Sequence, residues 1–166
     1  MCEYEIMGGR PLAGHLTIQG AKNSVLPILA ATVLASGESV IHNCPRLSDV
    51  SATLEILRAL GCRVEQEGHT VRVDASSLSE YRVPDRLMGE LRSSVIFLGA
   101  LLARCGQAEL TYPGGCQLGP RPIDLHLSAL RTLGARVQEK HGHLVCSGGS
   151  RMCGGEICLS IPSVGA

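Results

Sequence analysis

An internal repeat constrains the fold more than any other feature of this 166-residue chain. The stretch LPILAATVLASGES at residues 26–39 matches VIFLGALLARCGQA at residues 95–108 in its apolar pattern, at an offset of 69 positions. Residues 54–74 then match residues 127–147 at an offset of 73 positions. A unit of about 70 residues is too long for one solenoid turn and is typical of a duplicated supersecondary module.

Hydrophobic periodicity and turn residues predict the elements of the first copy. Asn23 or Ser24 is expected to cap a helix that runs to about Ala35, and the β-branched stretch ESVIHN follows as a strand. Apolar residues at the helical period predict a second helix over 47–60. CRVEQE and HTVRVD then form a hairpin around Gly68.

The second copy repeats this order. We expect a helix over 85–104, a strand over 107–112, a helix over 122–133 and a hairpin over 135–147. The strand-like stretches HLTIQG and GEICLSI lie before the first copy and after the second. Each unit is therefore predicted to be β-α-β-α-β-β, in an α/β or α+β arrangement.

Composition gives no sign of a nucleic-acid or membrane partner. Fifteen basic and fifteen acidic side chains cancel, and the chain has one Phe, three Tyr and no Trp for stacking on bases. No stretch reaches the roughly 18 apolar residues of a membrane span. The start MCEYEIMGG lacks the apolar run of a signal peptide, so the eight cysteines are interpreted as free thiols in a reducing cytoplasm. The sequence predicts a soluble, cytoplasmic protein.

Cysteines and histidines near the end of the second copy offer ligand types that zinc uses. Cys146, Cys153 and Cys158 lie close in sequence to His141 and His143. Their spacing includes no Cys-x-x-Cys, and several of them fall in predicted strands. No metal site is predicted there.

The loop YPGGCQLGPRP at residues 112–122 carries four residues that the first copy lacks. Its glycines and prolines exclude both a helix and a central strand, so Cys116 is expected in a loop where nearby cations favour the thiolate. Arg121 would stand at the start of the following helix, with Pro122 in its first turn and Asp124 at the positive end of its dipole. The alternative is a plain turn that contains a cysteine and is followed by an acidic helix cap.

Two further places are suited to an anion. Lys22 in GAKNS sits between a predicted strand and a helix, where backbone N–H groups and a fixed charge favour phosphate, although no P-loop pattern precedes it. Arg92 aligns with Asn23 at the offset of 69, which puts a polar group near the start of each equivalent helix. A surface lysine and a helix-surface arginine are the plainer interpretations.

The stretches GAKNSVLPIL, PGGCQLGPRPIDLH and PSVGA together resemble the UDP-N-acetylglucosamine 1-carboxyvinyltransferases, a family of enolpyruvyl transferases. The resemblance runs over the whole chain in order. It implies the inside-out α/β barrel fold and transfer of the enolpyruvyl group of phosphoenolpyruvate to the 3-hydroxyl of UDP-N-acetylglucosamine, with release of phosphate through a tetrahedral ketal. This is the first committed step of peptidoglycan synthesis, and it needs no cofactor and no metal.

The resemblance also implies roles for individual residues. Cys116 would be the mobile-loop proton donor that adds covalently to phosphoenolpyruvate and that fosfomycin alkylates. Lys22 and Asn23 would contact phosphoenolpyruvate, and Arg121 its phosphate. The UDP-sugar would be bordered by Arg92, Arg121, Pro122, Ile123, Asp124, Leu125, Ser163, Val164 and Gly165.

The family is more than twice as long as this chain, with two domains of three repeats each. On this basis residues 1–21 would pair with a second domain, and residues 22–166 would form a partial domain with repeats at about 22–84 and 85–150 and the start of a third at 151–166. An incomplete, inactive fragment is therefore expected. Two alternatives stay open: an enzyme like the relative that acts on shikimate 3-phosphate, and a non-catalytic UDP-sugar-binding homologue.

Overall fold

In the computed structural model, the described residues are 3–9, 11–112, 122–148, 152–163 and 166, with the side chain of Arg92 left out. The first repeat contains, in chain order, helix α1 (Lys22–Ala31), a 3₁₀ turn (Thr32–Leu34), strand β1 (Glu38–Ile41), helix α2 (Ser48–Ala59), strand β2 (Arg63–Glu67) and strand β3 (Thr70–Asp74). The second repeat contains, in chain order, helix α3 (Asp85–Glu90), a 3₁₀ turn (Arg92–Val95), helix α4 (Ile96–Cys105), strand β4 (Gln107–Thr111), helix α5 (Asp124–Thr132), strand β5 (Ala135–Lys140) and strand β6 (His143–Gly148).

The two repeats build the same small sheet. Each sheet has three antiparallel strands, in the order β1-β3-β2 in the first repeat and β4-β6-β5 in the second. The register places Ile41 opposite Val71 and Leu110 opposite Leu144, so that apolar side chains on one face meet the helices. The predicted duplication, both hairpins and the strand that precedes each second helix are confirmed.

Helix α1 differs from its predicted bounds at both ends. It begins at Lys22 after Ala21, with no side-chain cap, so the predicted cap at Asn23 or Ser24 is wrong. The α-helix ends at Ala31 and not near Ala35. The Thr32 hydroxyl donates a hydrogen bond to the Leu29 carbonyl oxygen at 2.7 Å, and the chain tightens there into a 3₁₀ turn.

The single helix predicted over 85–104 is broken. Leu91 has an extended backbone, with φ −118° and ψ 113°, and separates α3 from a 3₁₀ turn and α4. Its side chain is 1% exposed, so the break places an apolar residue in the core. Periodicity alone could not show this break, because Leu91 also fits the helical pattern of the residues around it.

The predicted strands HLTIQG and GEICLSI do not form. Leu16 and Ile18 of the first stretch are 82% and 76% exposed. In the second repeat the corresponding leading strand is reduced to one parallel bridge between Arg82 and Glu109. A strand needs a neighbour to satisfy its backbone groups, and alternation in sequence does not supply one.

Both repeats contribute to one hydrophobic core. Helix α1 packs against α2 and α4, and α2 packs against α3. The largest fully buried side chains come from both copies: Leu29, Leu54, Ile56, Leu57, Leu60, Leu87, Met88, Leu91, Phe97, Leu98, Leu101 and Leu102. The core therefore joins the modules and fixes the relative position of the starts of α1 and α2.

Helices α1 and α4, with the 3₁₀ turn after α1, also border a shallow apolar groove of about 190 Å³. Each copy lines it with four positions, and the offset of 69 relates the two sets one by one: Pro27 to Ile96, Ala30 to Gly99, Ala31 to Ala100 and Leu34 to Ala103. Equivalent faces of α1 and α4 therefore line the groove from its two sides.

Candidate functional site

The start of α1 offers positive charge and backbone donors together. Lys22 and Asn23 are its first two residues and both are exposed. The first N–H groups of a helix have no partner within the helix, and no side chain caps them here. Positive charge and free backbone donors are the features that favour an anion, and an anion site at this end of α1 stays a prediction.

The structure pairs Lys22 with a residue that the sequence interpretation missed. Lys22 Nζ lies 2.9 Å from a carboxylate oxygen of Asp49, in the first turn of α2. The side chains are 51% and 32% exposed, so the pair stays accessible to solvent. An acidic residue in a first helical turn was the available signal. Only the packing of α1 on α2 shows that it faces Lys22.

A close backbone contact holds these two helix starts together. A Cβ atom at Gly20 would clash with the carbonyl oxygen of Asn43 and would lie 3.4 Å from Pro45 Cδ. Asn43 has φ 54°, a left-handed conformation that Asn tolerates better than most residues. The glycine of GAKNS is thus needed for close approach to the loop that leads into α2.

That loop is in turn fixed to the β2–β3 hairpin. The Cys44 N–H donates to the His69 carbonyl oxygen at 2.8 Å, and His69 Nδ1 donates to the Cys44 carbonyl oxygen at 3.0 Å. Cys44 is fully buried. Two reciprocal hydrogen bonds therefore anchor the chain segment that carries Asp49.

The second candidate group lies at the start of α5. The helix begins at Asp124, so Pro122 precedes it and the prediction that Pro122 occupies the first turn is wrong. Pro122 and Asp124 are exposed and Leu125 is half-buried, whereas Ile123 is 5% exposed. A ligand at this place would meet the main chain of Ile123, because its side chain is in the core.

Several predicted site residues lie outside the described residues: Cys116, Arg121, Val164 and Gly165. The backbone of Arg92 forms the start of the 3₁₀ turn before α4, as the alignment with Asn23 predicts. Ser163 is half-buried, and its hydroxyl oxygen accepts a hydrogen bond from the Ala166 N–H at 3.2 Å.

The described atoms bring Lys22 and Asp49 together, but they do not join the start of α1 to that of α5. No hydrogen bond or ion pair within the described ranges links residues 22–23 to residues 122–125. The predicted phosphoenolpyruvate and UDP-sugar contacts therefore do not touch each other directly in the described part of the chain.

Burial separates the described cysteines into two groups. It raises the pKa of the Cys44, Cys105 and Cys146 thiols, and it raises that of Cys62 to about 11, with the Asp74 carboxylate contributing. The other two described cysteines, Cys153 and Cys158, are exposed. The buried group is therefore poorly suited to thiolate chemistry near neutral pH.

A second charged cluster, remote in sequence from Lys22, ties the leading segment of the second repeat to its sheet. Arg82 lies 3.4 Å from Glu109 and 3.8 Å from Asp85, and His143 lies 3.5 Å and 3.7 Å from the same two carboxylates. Within the described ranges no group of three His, Cys, Asp or Glu side chains could hold a metal ion. These contacts connect Arg82 and Asp85 to Glu109 of β4 and His143 of β6.

Among the described residues, no helix has the length and apolar character needed to cross a membrane.

Comparison with known proteins identifies the class to which this duplicated architecture belongs, that of the enolpyruvyl transferases. The family model for EPSP synthase (3-phosphoshikimate 1-carboxyvinyltransferase) matches residues 6–166. The chain belongs to this family.

Named relatives and solved structures refine the comparison. The chain is 50% identical over its whole length to UDP-N-acetylglucosamine 1-carboxyvinyltransferase 2 of Caldanaerobacter subterraneus subsp. tengcongensis. It is 49% identical, over 98% of its length, to UDP-N-acetylglucosamine 1-carboxyvinyltransferase 1 of Symbiobacterium thermophilum. The enolpyruvyl transferase NikO from Streptomyces tendae superimposes with a TM-score of 0.75 at 28% identity, over 88% of this chain and 32% of NikO. EPSP synthase from Acinetobacter baumannii gives a TM-score of 0.70 at 22% identity, over 92% of this chain and 36% of that one, and shows the shared fold.

The chain spans about 40% of the length of the Caldanaerobacter relative and 38% of the Symbiobacterium one.

Proposed function

We propose that this chain is part of an enzyme that transfers the enolpyruvyl group from phosphoenolpyruvate to the 3-hydroxyl of UDP-N-acetylglucosamine, in peptidoglycan synthesis in the cytoplasm. The observation that carries the proposal is an exposed lysine at an uncapped helix start, in a chain 49–50% identical to proteins named for that activity. The shikimate 3-phosphate reaction is the second candidate, because the family model bears its name.

In the proposed reaction the positive groups hold the phosphate of phosphoenolpyruvate. Lys22 and the first N–H groups of α1 bind the anion, with Asn23 beside them, and Arg121 contributes a second cation. Charge-assisted hydrogen bonds of this kind are stronger than neutral ones, and they also stabilise charge that develops on the departing phosphate.

Cys116 is proposed to act on the methylene carbon of the enolpyruvyl group. Its thiol donates a proton there while the sugar 3-hydroxyl attacks the neighbouring carbon, which gives the tetrahedral ketal. Loss of phosphate and of one proton from the new methyl group then regenerates the double bond, and the hydroxyl and methyl protons that are released reprotonate the Cys116 thiolate and the departing phosphate. The main chain and side chains from Pro122 to Leu125, with Arg92 and residues 163–165, would border the UDP-sugar.

Competitive labelling of the thiols tests the role of Cys116. Brief exposure to fosfomycin, followed by peptide mass mapping, should modify Cys116 ahead of Cys153 and Cys158. These two are matched controls, because they are exposed cysteines of the same chain. Equal modification of the three thiols would show that Cys116 is an ordinary exposed cysteine and would contradict the proposal.

A further inference from the structure

Asp49 takes no part in the proposed reaction, yet its carboxylate lies 2.9 Å from the ammonium group of Lys22. We propose that Asp49 is a positioning residue: it holds Lys22 Nζ over the start of α1, ready for the phosphate group of phosphoenolpyruvate. The identity of that anion rests on the proposed function. The positioning role of Asp49 rests on the observed contact between Asp49 and Lys22.

The backbone explains why the two groups meet. Gly20, two residues before Lys22, packs directly against the Asn43 carbonyl, and Cys44 is bonded twice to His69 of the hairpin turn. Asp49 follows five residues later, in the first turn of α2. Both ends of the ion pair therefore stand on segments fixed by backbone contacts.

The solvent exposure of the pair indicates that Asp49 orients Lys22 and does not hold it in a permanent ion pair. A lysine side chain has several rotatable bonds and loses much conformational freedom when it is ordered. Orienting it before the ligand arrives lowers the entropic cost of binding. Because the pair is half exposed and such pairs are weak, a multiply charged phosphate can take the ammonium group from a single carboxylate.

The competing explanation is that Asp49 merely stabilises α2 as an acidic residue at its positive end. Asp85 likewise lies in the first turn of a helix, α3, but contacts Arg82 and His143 and not Lys22. Asp85→Asn is therefore a matched control, since it removes an equivalent helix-dipole interaction away from Lys22.

The chain allows a clean spectroscopic test because it has two lysines, Lys22 and Lys140. In the 166-residue chain labelled with ¹³C-lysine, the two Hε protons of Lys22 should resonate separately in the wild type, because the ammonium group is held in one place. Asp49→Asn should merge them into the averaged signal expected of exposed Lys140. Asp49→Glu should restore the splitting at least in part, and Asp85→Asn should leave it unchanged.

Titration with phosphoenolpyruvate, followed through the same Lys22 signals, connects the pair to ligand binding. We expect the dissociation constant to rise about three- to tenfold in Asp49→Asn and to recover in Asp49→Glu. An unchanged Lys22 splitting in Asp49→Asn would overturn the inference, as would tighter binding by that variant, which would make Asp49 a competitor of the ligand. If the wild-type Lys22 signals ignore phosphoenolpyruvate, the proposed ligand is wrong for this site, and the splitting still decides whether Asp49 positions Lys22.

Discussion

Individual residues acquire their chemistry here from burial. Burial raises the pKa of four described thiols, and two further described thiols are exposed. Cys116 is predicted to be reactive because its glycines and prolines place it in a loop near cations, whereas burial disfavours ionisation of Cys62 and Cys146. Local composition gives the first kind of information, and only the packed core gives the second.

Cys62 should make stability depend on alkaline pH. Its pKa is raised from 9.0 to about 11, so between these values the folded thiol keeps a proton that the unfolded chain has released. The contribution is complete below pH 9 and is lost as the pH rises through about 11, which lowers the free energy of unfolding by about 1–3 kcal/mol.

Urea denaturation across this pH range measures the effect. The loss of stability should be smaller in Cys62→Ala than in the wild type, while Cys153→Ala, at an exposed position, should match the wild type. Parallel curves for the wild type and Cys62→Ala would show that Cys62 contributes nothing to the alkaline loss.

At the scale of elements, the approach of one chain segment to another decides the geometry of the site. Gly20 should not tolerate a side chain, because its Cβ would meet the Asn43 carbonyl oxygen, and a backbone group cannot swing away. Gly20→Ala should destabilise the fold by about 1–3 kcal/mol through overpacking.

Gly37→Ala is the matched control, since a Cβ there has no neighbour within 4 Å and the residue does not have a positive φ. It should be neutral or slightly stabilising, because alanine restricts the unfolded chain more than glycine does. Equal unfolding midpoints for the two variants would refute the close contact at Gly20.

Most elements could be predicted from the sequence, because the hairpins and the helices α2 and α5 follow period and turn signals. The start of α1 and the break at Leu91 could not. Asn23 and Ser24 are good caps by residue type, but the helix begins one residue before Asn23. Leu91 fits a helical pattern, but its backbone is extended and its side chain is buried in the core.

At the scale of the whole molecule, the duplication was visible in sequence, and the structure shows how far it extends. Repeat-equivalent positions of α1 and α4 face one groove, and both sheets have the same strand order. The pairing of Lys22 with Asp49 was not predictable, because it depends on how α1 packs against α2. The predicted leading strands failed for a similar reason, since strand partners are set by tertiary structure.

The most direct test of the central claim is an exchange of segments. Residues 1–166 of this chain would replace the matching segment of the Caldanaerobacter relative, with which they are 50% identical. We predict that the chimera releases phosphate from phosphoenolpyruvate when UDP-N-acetylglucosamine is present, and that Cys116→Ala abolishes this release. A folded chimera that needs shikimate 3-phosphate, or that works equally well without the Cys116 thiol, would contradict the account.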